Sequence, residues 1–324
     1  MKIAITLLAT LALTAFPTEA PRAGESFPNR TITITNIYAP GAGLDVVGRA
    51  VAQKLSEKWK VPVIVESRPG AGGTIAAGSV ARQPADGYSL LLTDVSFSIN
   101  PSIYKHLSYD PRNGFQPIAL MNSVTQALSL NAKLPVKSLA ELVAYAKQNP
   151  TKLIYASAGV GSLTQLGMEM FKKEAGVDIQ QVMYRGGVPA MTDMIAGRAH
   201  MYMGSLATAI PYIKEGSLRV IAVMQKNRSP MMPNVESSVE AGYPALDFNA
   251  YYGLLAPAGT PRPVAEKLAA AVNEALQTPE LQRLLRDLGC EYLGAGPDEF
   301  SKFLQKDFAR WEKAVEVSGI APNN

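Results

Sequence analysis

The chain has 324 residues, 47% of them apolar and 18% charged, which is globular composition and enough for a sizeable core in two domains. Its net charge is +4 and the Lys and Arg residues are scattered, without a basic block, so no nucleic-acid partner is expected and small anions suit the surface better. The single cysteine, Cys290, excludes an internal disulfide, so the core alone must hold the fold.

Residues 1–23 read as a cleaved export signal: Lys2, then an apolar stretch from Ile3 to Phe16, then Pro17 and small residues ending near Ala23. The stretch is too short to span a bilayer, and no later segment is long and apolar enough to do so. A periplasmic location follows from this reading.

After the signal, strand and helix patterns alternate. TITITNIYA is β-branched and extended, and the segment from Asp45 to Trp59 places Val47, Val51, Leu55 and Trp59 on one helical face. VPVIVES, a glycine-rich turn with a small-residue helix, and YSLLLTDV complete a β-α-β-α-β order, which predicts a parallel sheet covered by helices. Phe115 to Asn131 carries two apolar runs without helical spacing and reads as an extended segment crossing between domains. Ser138 and Glu141 then form a capping box for a helix that Pro150 stops. A second alternation follows, through KLIYASAG, SLTQLGMEMFKKEAG, VDIQQVMYRGG, PAMTDMIAG and RAHMYMGS. SLRVIAVMQ and FNAYYGLLAPAGTP read as strands, and three helices close the chain. The methionines of the middle region read as core.

The chemistry is concentrated at strand–glycine–helix junctions. In APGAGLD, Gly41 and Gly43 open the helix that carries Asp45. A dinucleotide fingerprint would place a third glycine at Val46 and an acidic residue near Glu66; only the second is present. A glycine turn before a helix aims several backbone N–H groups at one point, where the helix dipole adds partial positive charge. That holds a carboxylate without a cationic side chain. Asp45 can cap the helix while its N–H faces the ligand. SAGVGS, from Ser157 to Ser162, repeats the device with Gly159, Gly161, Thr164 and Gln165, and Tyr184-Arg185-Gly186-Gly187 repeats it again. Such turns in two successive β/α units predict a ligand in the cleft between them.

Catalytic motifs are weak. His106 and His200 have no metal-ligand spacing and read as structural, and neither H-E-x-x-H, C-x-x-C nor G-x-S-x-G occurs. No metal, cofactor or catalytic residue is expected. A secreted α/β enzyme acting on a small carboxylate remains an alternative, as does an orphan receptor that reports to a sensor.

The order and spacing of FPNRTITI, YAPGAGLDVVGRAVAQKL, VIVESRPGAGGTIAAGSVARQPADGYSLLL, LPVKSLAELVAYAKQNPTKLIYASAGVGS, YRGGVPAMTDMIAGRAHM and WEKAVEVSGI resemble the substrate-binding proteins of tripartite tricarboxylate transporters, the Bug receptors. The resemblance implies a type II-like periplasmic binding protein, each domain a mostly parallel sheet flanked by helices, with the ligand in the interdomain cleft. It implies a first domain of residues 27–124 plus 248–324 and a second of 125–247. It also implies a monomer that receives a small organic carboxylate and passes it to inner-membrane transporter subunits or a sensor. Carried over by position, the ligand would meet Pro40, Gly41, Ala42, Gly43, Leu44 and Asp45 on the first turn. On the second it would meet Ser157, Gly159, Gly161, Ser162, Thr164 and Gln165. Ser96, Tyr184, Arg185, Gly186, Gly187 and Ser205 would line the rest. The usual pattern is G-G-G-T-D at the first turn, a histidine where Gln165 stands, and F-D-N where this chain has Met203-Gly204-Ser205. Without an acidic residue there, a ligand without an amine is expected: a mono- or dicarboxylate, aromatic ones included.

Overall fold

The computed structural model describes residues 27–159, 161–184 and 187–320. The export signal therefore lies outside the described residues, as do Arg185 and Gly186.

The β-branched run forms β1 (Ile32–Asn36), whose Ile32 and Ile34 are buried. The helix after it, α1 (Gly43–Trp59), lays Leu44, Val47, Val51 and Leu55 into the core. Each such side chain contributes about 1.5–3 kcal/mol of burial. A Cβ at Gly48 would collide with Leu92 Cδ2, so this glycine sets the close approach of helix to sheet that the dinucleotide pattern would assign to position 46. β2 (Val63–Ser67), α2 (Thr74–Val80), β3 (Ser89–Asp94) and α3 (Ser96–Ile103) follow.

β4 (Phe115–Val124) belongs to this sheet, and β5 (Gln126–Asn131), one residue later, belongs to the other. The second sheet is built from α4 (Leu139–Gln148), β6 (Ile154–Ser157), α5 (Leu163–Ala175), β7 (Gln180–Met183), α6 (Gly187–Ile195), β8 (Met201–Ser205), α7 (Leu206–Lys214) and β9 (Leu218–Val223). β10 (Ala250–Pro257) returns to the first sheet, followed by α8 (Arg262–Leu276), α9 (Pro279–Asp287), β11 (Cys290–Ala295) and α10 (Pro297–Ser318).

The strand orders are β11-β4-β10-β3-β1-β2 and β7-β6-β8-β5-β9. Both sheets are mixed, and as expected most strands in each share one direction, with β10 and β11 running against the rest of the first sheet and β5 against the rest of the second. β1, β2 and β3 pair in parallel, as do β6, β7 and β8. The reversed strands β10 and β5 are the ones by which the chain enters a sheet from the other one, and each lies between two strands of the common direction.

The crossings are pinned by backbone and amide bonds. Thr125 N–H donates to Gly289 O at 3.2 Å, and its carbonyl accepts from Leu206 N–H at 2.9 Å. Asn249 accepts from Gln126 N–H at 3.4 Å and donates to Gln225 Oε1 at 3.1 Å. α10 packs on α3 beside the first sheet and also reaches α5 beside the second. Its Trp311 stands edge-on to Phe248, on the returning crossing, with ring centroids 5.9 Å apart. Among the described residues no helix is long and apolar enough to cross a membrane.

Candidate functional site

The first turn is held from beneath by two buried polar side chains. Asn36, at the end of β1, donates to Tyr38 O and to Asp45 Oδ1, both at 3.1 Å, and accepts from Tyr38 N–H at 3.2 Å. Asp45 reaches back across the turn to accept from Gly41 N–H at 2.9 Å and pairs with Arg49 Nε at 2.9 Å. Burial pushes the Asp45 carboxyl up, but the bonds from Arg49, Gly41 and Asn36 outweigh it and hold it below its ordinary value. The N-cap residue is Ala42, which has no side-chain cap, so Asp45 closes the loop instead of capping the helix. Leu44 turns its side chain into the core. The first helical bond is Val46 N–H to Ala42 O at 3.0 Å. The N–H groups of Gly43, Leu44 and Asp45 therefore have no intrahelical acceptor. Pro40 and Gly41 are exposed on the rim.

The second turn follows β6 and is braced by its own side chains. Thr164 Oγ1 accepts from Ala158 N–H at 2.7 Å, and Gln165 Oε1 accepts from Gly161 N–H at 2.7 Å. Ser162 donates to Gly159 O at 2.7 Å and caps α5 through Gln165 N–H at 3.3 Å. Gln165 Nε2 donates to Gln181 Oε1 at 3.2 Å, and Gln181 Nε2 donates to the buried Ser157 Oγ at 2.8 Å. Gly161 is at φ +71°, and a Cβ there would lie 2.7 Å from Ile103 Cγ2 of α3. The second turn thus meets the first sheet's helices at this point.

At the third junction Tyr184 donates its hydroxyl to Asp193 Oδ2 at 2.8 Å, which ties it to α6. Gly187 opens α6 beside the Tyr202 hydroxyl, 3.0 Å from where its Cβ would stand. Ser205 is half-buried at the end of β8, in register with Gln126. His106 is exposed in a loop, and His200 Nδ1 accepts from Ile154 N–H at 3.0 Å, a bond that aligns β6 and β8. Burial holds the His200 imidazole below its ordinary value. The described residues contain no group of three or more side chains suited to a metal.

Two residues near the first turn were not legible as site residues, Tyr38 and Tyr252, while Asp94 lies in the segment 93–98 that the family resemblance places along the site. Asp94 ends β3 and is 8% exposed. It accepts from the Tyr38 hydroxyl at 2.9 Å, from Ser96 N–H at 2.9 Å and from Ser96 Oγ at 2.6 Å. Burial raises its carboxyl, and the bonds from Ser96 and Tyr38 oppose the rise. Tyr252 is its cross-strand partner on β10, with a hydroxyl 2.8 Å from where a Cβ on Gly43 would stand. The segment 93–98, with Asp94 and Ser96, carried a sequence signal; the pairing of β3 with β10, which brings Tyr252 to it, is set by sheet order.

Two mixed sheets flanked by helices, with strand–glycine–helix turns at the ends of their parallel strands, define the fold of a periplasmic binding protein. The model of the tripartite tricarboxylate transporter family receptor matches residues 47–320, and the chain belongs to that family. It is 30% identical over 302 residues to the protein BugT of Bordetella pertussis, covering 93% of each chain. The structure of Rpa4515 of R. palustris with adipate is similar at TM-score 0.84 and 32% identity, covering 92% of this chain and 100% of that one. MatC of Rhodopseudomonas palustris with bound malate is similar at TM-score 0.80 and 30% identity, covering 89% of this chain and 100% of that one.

Proposed function

We propose that this protein is a periplasmic receptor that captures a small carboxylate between its first and second glycine turns and delivers it to a tripartite tricarboxylate-type transporter. The proposed domains are residues 27–124 with 248–324, and residues 125–247. The observation that carries the reading is the first turn. Asp45 is neutralised by Arg49 and committed to Gly41, while three helix N–H groups above it stay free of intrahelical acceptors. Such an arrangement holds an anion through backbone N–H groups with its nearest acid already neutralised, which supports binding over catalysis. The solved relatives with adipate and malate support a carboxylate as the anion. Met203-Gly204-Ser205 places no acid at the end of β8, which supports a mono- or dicarboxylate without an amine. Closure of the two units would exclude water and strengthen the amide–carboxylate bonds.

A thermal-shift panel of carboxylates at about 1 mM tests this. A ligand with a dissociation constant of about 10 µM adds about 2.7 kcal/mol to stability, enough to raise the midpoint by several degrees. The expected result is a shift with one carboxylate class, lost in Gly43→Val. A flat panel, repeated after unfolding and refolding to strip bound ligand, would reject the receptor reading.

A further inference from the structure

The second turn commits its own polar side chains to itself. Thr164 Oγ1 accepts from Ala158 N–H, and Ser162 donates to Gly159 O, which leaves the Thr164 proton for Ser162 Oγ at 2.9 Å. What remains to meet a ligand is backbone. The first intrahelical bond of α5 is Leu166 N–H to Ser162 O at 3.0 Å, so the N–H groups of Leu163 and Thr164 have no intrahelical acceptor. Their direction depends on how the turn before them is held.

A chain of three bonds holds it, and the chain runs in one sense. Gly161 N–H donates to Gln165 Oε1 at 2.7 Å, Gln165 Nε2 to Gln181 Oε1 at 3.2 Å, and Gln181 Nε2 to Ser157 Oγ at 2.8 Å. A backbone N–H can only donate, so it fixes which end of Gln165 faces it. That in turn fixes which end of Gln181 faces Gln165. Turning either amide over would set donor against donor. Bonds aligned in this way polarise one another and strengthen as a set. Gln165 is 7% exposed and Ser157 is fully buried, so water is a poor substitute for the partner of either. Gln181 is the member that comes from outside β6, the turn and α5. It stands on β7, the edge strand of the second sheet. Its neighbour Gln180 leaves the opposite face of that strand and is exposed.

We propose that Gln181 is a positioning residue for the bound carboxylate. It touches no ligand. It holds the Gln165 amide in the one orientation that pins Gly161 N–H, and so aims the open N–H groups of α5. The inference rests on the receptor reading above and adds to that site a residue from a third segment of the chain.

Two measurements on the mature protein test it. The first needs no ligand: hydrogen exchange of the Gly161 amide, followed by NMR. It should speed up about tenfold in Gln181→Leu. It should stay slow in Gln181→Glu, whose carboxylate accepts from both Gln165 Nε2 and the Ser157 hydroxyl, and should not change in Gln180→Leu. The second is calorimetric titration, with whichever of succinate, malate, adipate and benzoate raises the parent's melting temperature most. Gln181→Leu should bind that probe about tenfold more weakly, and Gln165→Leu at least as weakly. The double variant should bind no more weakly than Gln165→Leu, because both residues act through one bond. Unchanged affinity or unchanged Gly161 exchange in Gln181→Leu, or losses that multiply in the double variant, would overturn the inference and leave the receptor reading standing. A parent that binds none of the four probes, together with a flat thermal panel, would overturn both. Should Gln181→Leu fold poorly, Gln181→Met, which keeps the chain length without the amide, takes its place in both measurements.

Discussion

The Tyr252 hydroxyl lies 2.8 Å from the place a β-carbon on Gly43 would occupy, and Tyr202 stands against Gly187 in the same way at 3.0 Å. Each sheet thus seats a tyrosine under the glycine that opens a helix. At Gly43 the arrangement leaves no room for a methyl unless the ring end moves. Gly43→Ala should lower carboxylate affinity by about tenfold, the scale of one displaced hydrogen bond, while the melting temperature changes little. Titration calorimetry beside a thermal melt separates the two effects.

Asp45 and Arg49 should be unequal partners. The Asp45 side chain is 3% exposed and also holds Gly41 and Asn36, whereas Arg49 is 47% exposed. Asp45→Ala leaves the Gly41 N–H without its acceptor and strips one acceptor from the buried Asn36 amide, and should cost about 2–3 kcal/mol. Arg49→Ala should cost about 1 kcal/mol or less, as befits a pair open to water. Asp45 has a lowered folded-state pKa, so its contribution is present above the unfolded value and is lost as pH falls through the folded one. Urea melts of both variants at neutral and acid pH check the order and the sign.

Asp307 on α10 gives the opposite pH dependence. Burial pushes its carboxyl from 3.8 up to about 6; it accepts from Trp311 Nε1 at 3.1 Å, and its Oδ2 has no partner. The folded state therefore binds the proton more tightly than the unfolded state. Its stabilising contribution is complete below about pH 3.8 and is lost as pH rises through about 6. The protein at neutral pH carries a cost of about 2–3 kcal/mol for ionising this group. Asp307→Asn should melt higher than the parent at pH 7, and the advantage should vanish near pH 4. Melting temperatures of the pair across that range test it; an advantage independent of pH would rule it out.

Gly161 and Ile103 should couple energetically. A methyl at Gly161 meets both a positive φ of +71° and Ile103 Cγ2 at 2.7 Å. Gly161→Ala should cost about 1–3 kcal/mol. Ile103→Ala removes the collision and leaves the backbone strain. The double variant should therefore be more stable than the sum of the two single losses, by an interaction of about 0.5–1.5 kcal/mol in a double-mutant cycle. Strict additivity would mean the contact is absent in solution.

Local pattern made much of this fold readable. The β-branched run became β1, the stripe at positions 47, 51 and 55 became the buried face of α1, and Thr278 caps α9 through Leu281 N–H at 3.4 Å. Ser138 caps α4 as its capping box requires, although Glu141 returns its bond to Lys137 N–H, one residue before the usual partner. The helices α3 and α7 were not legible, because Pro101 and Pro211 interrupt their helical patterns. β11 is short and finds its partner β4 far away in sequence. The same distance hid Tyr252, whose relation to Asp94 and Gly43 exists only once β10 is placed beside β3. Glycine turns advertise where an anion can rest; the side chains that surround it are chosen by sheet order.

The chain has two tryptophans, and the fold gives them separate vantage points. Trp59 ends α1, half-exposed, edge-on to Phe27. Trp311 is 1% exposed and rests on Phe248, where the chain returns from one sheet to the other. The molecule thus carries one intrinsic fluorophore at the crossing between its sheets and another at its periphery. Replacing Trp59 with phenylalanine would leave a single emitter at that crossing, and under the proposed closure its spectrum should shift as a carboxylate is added.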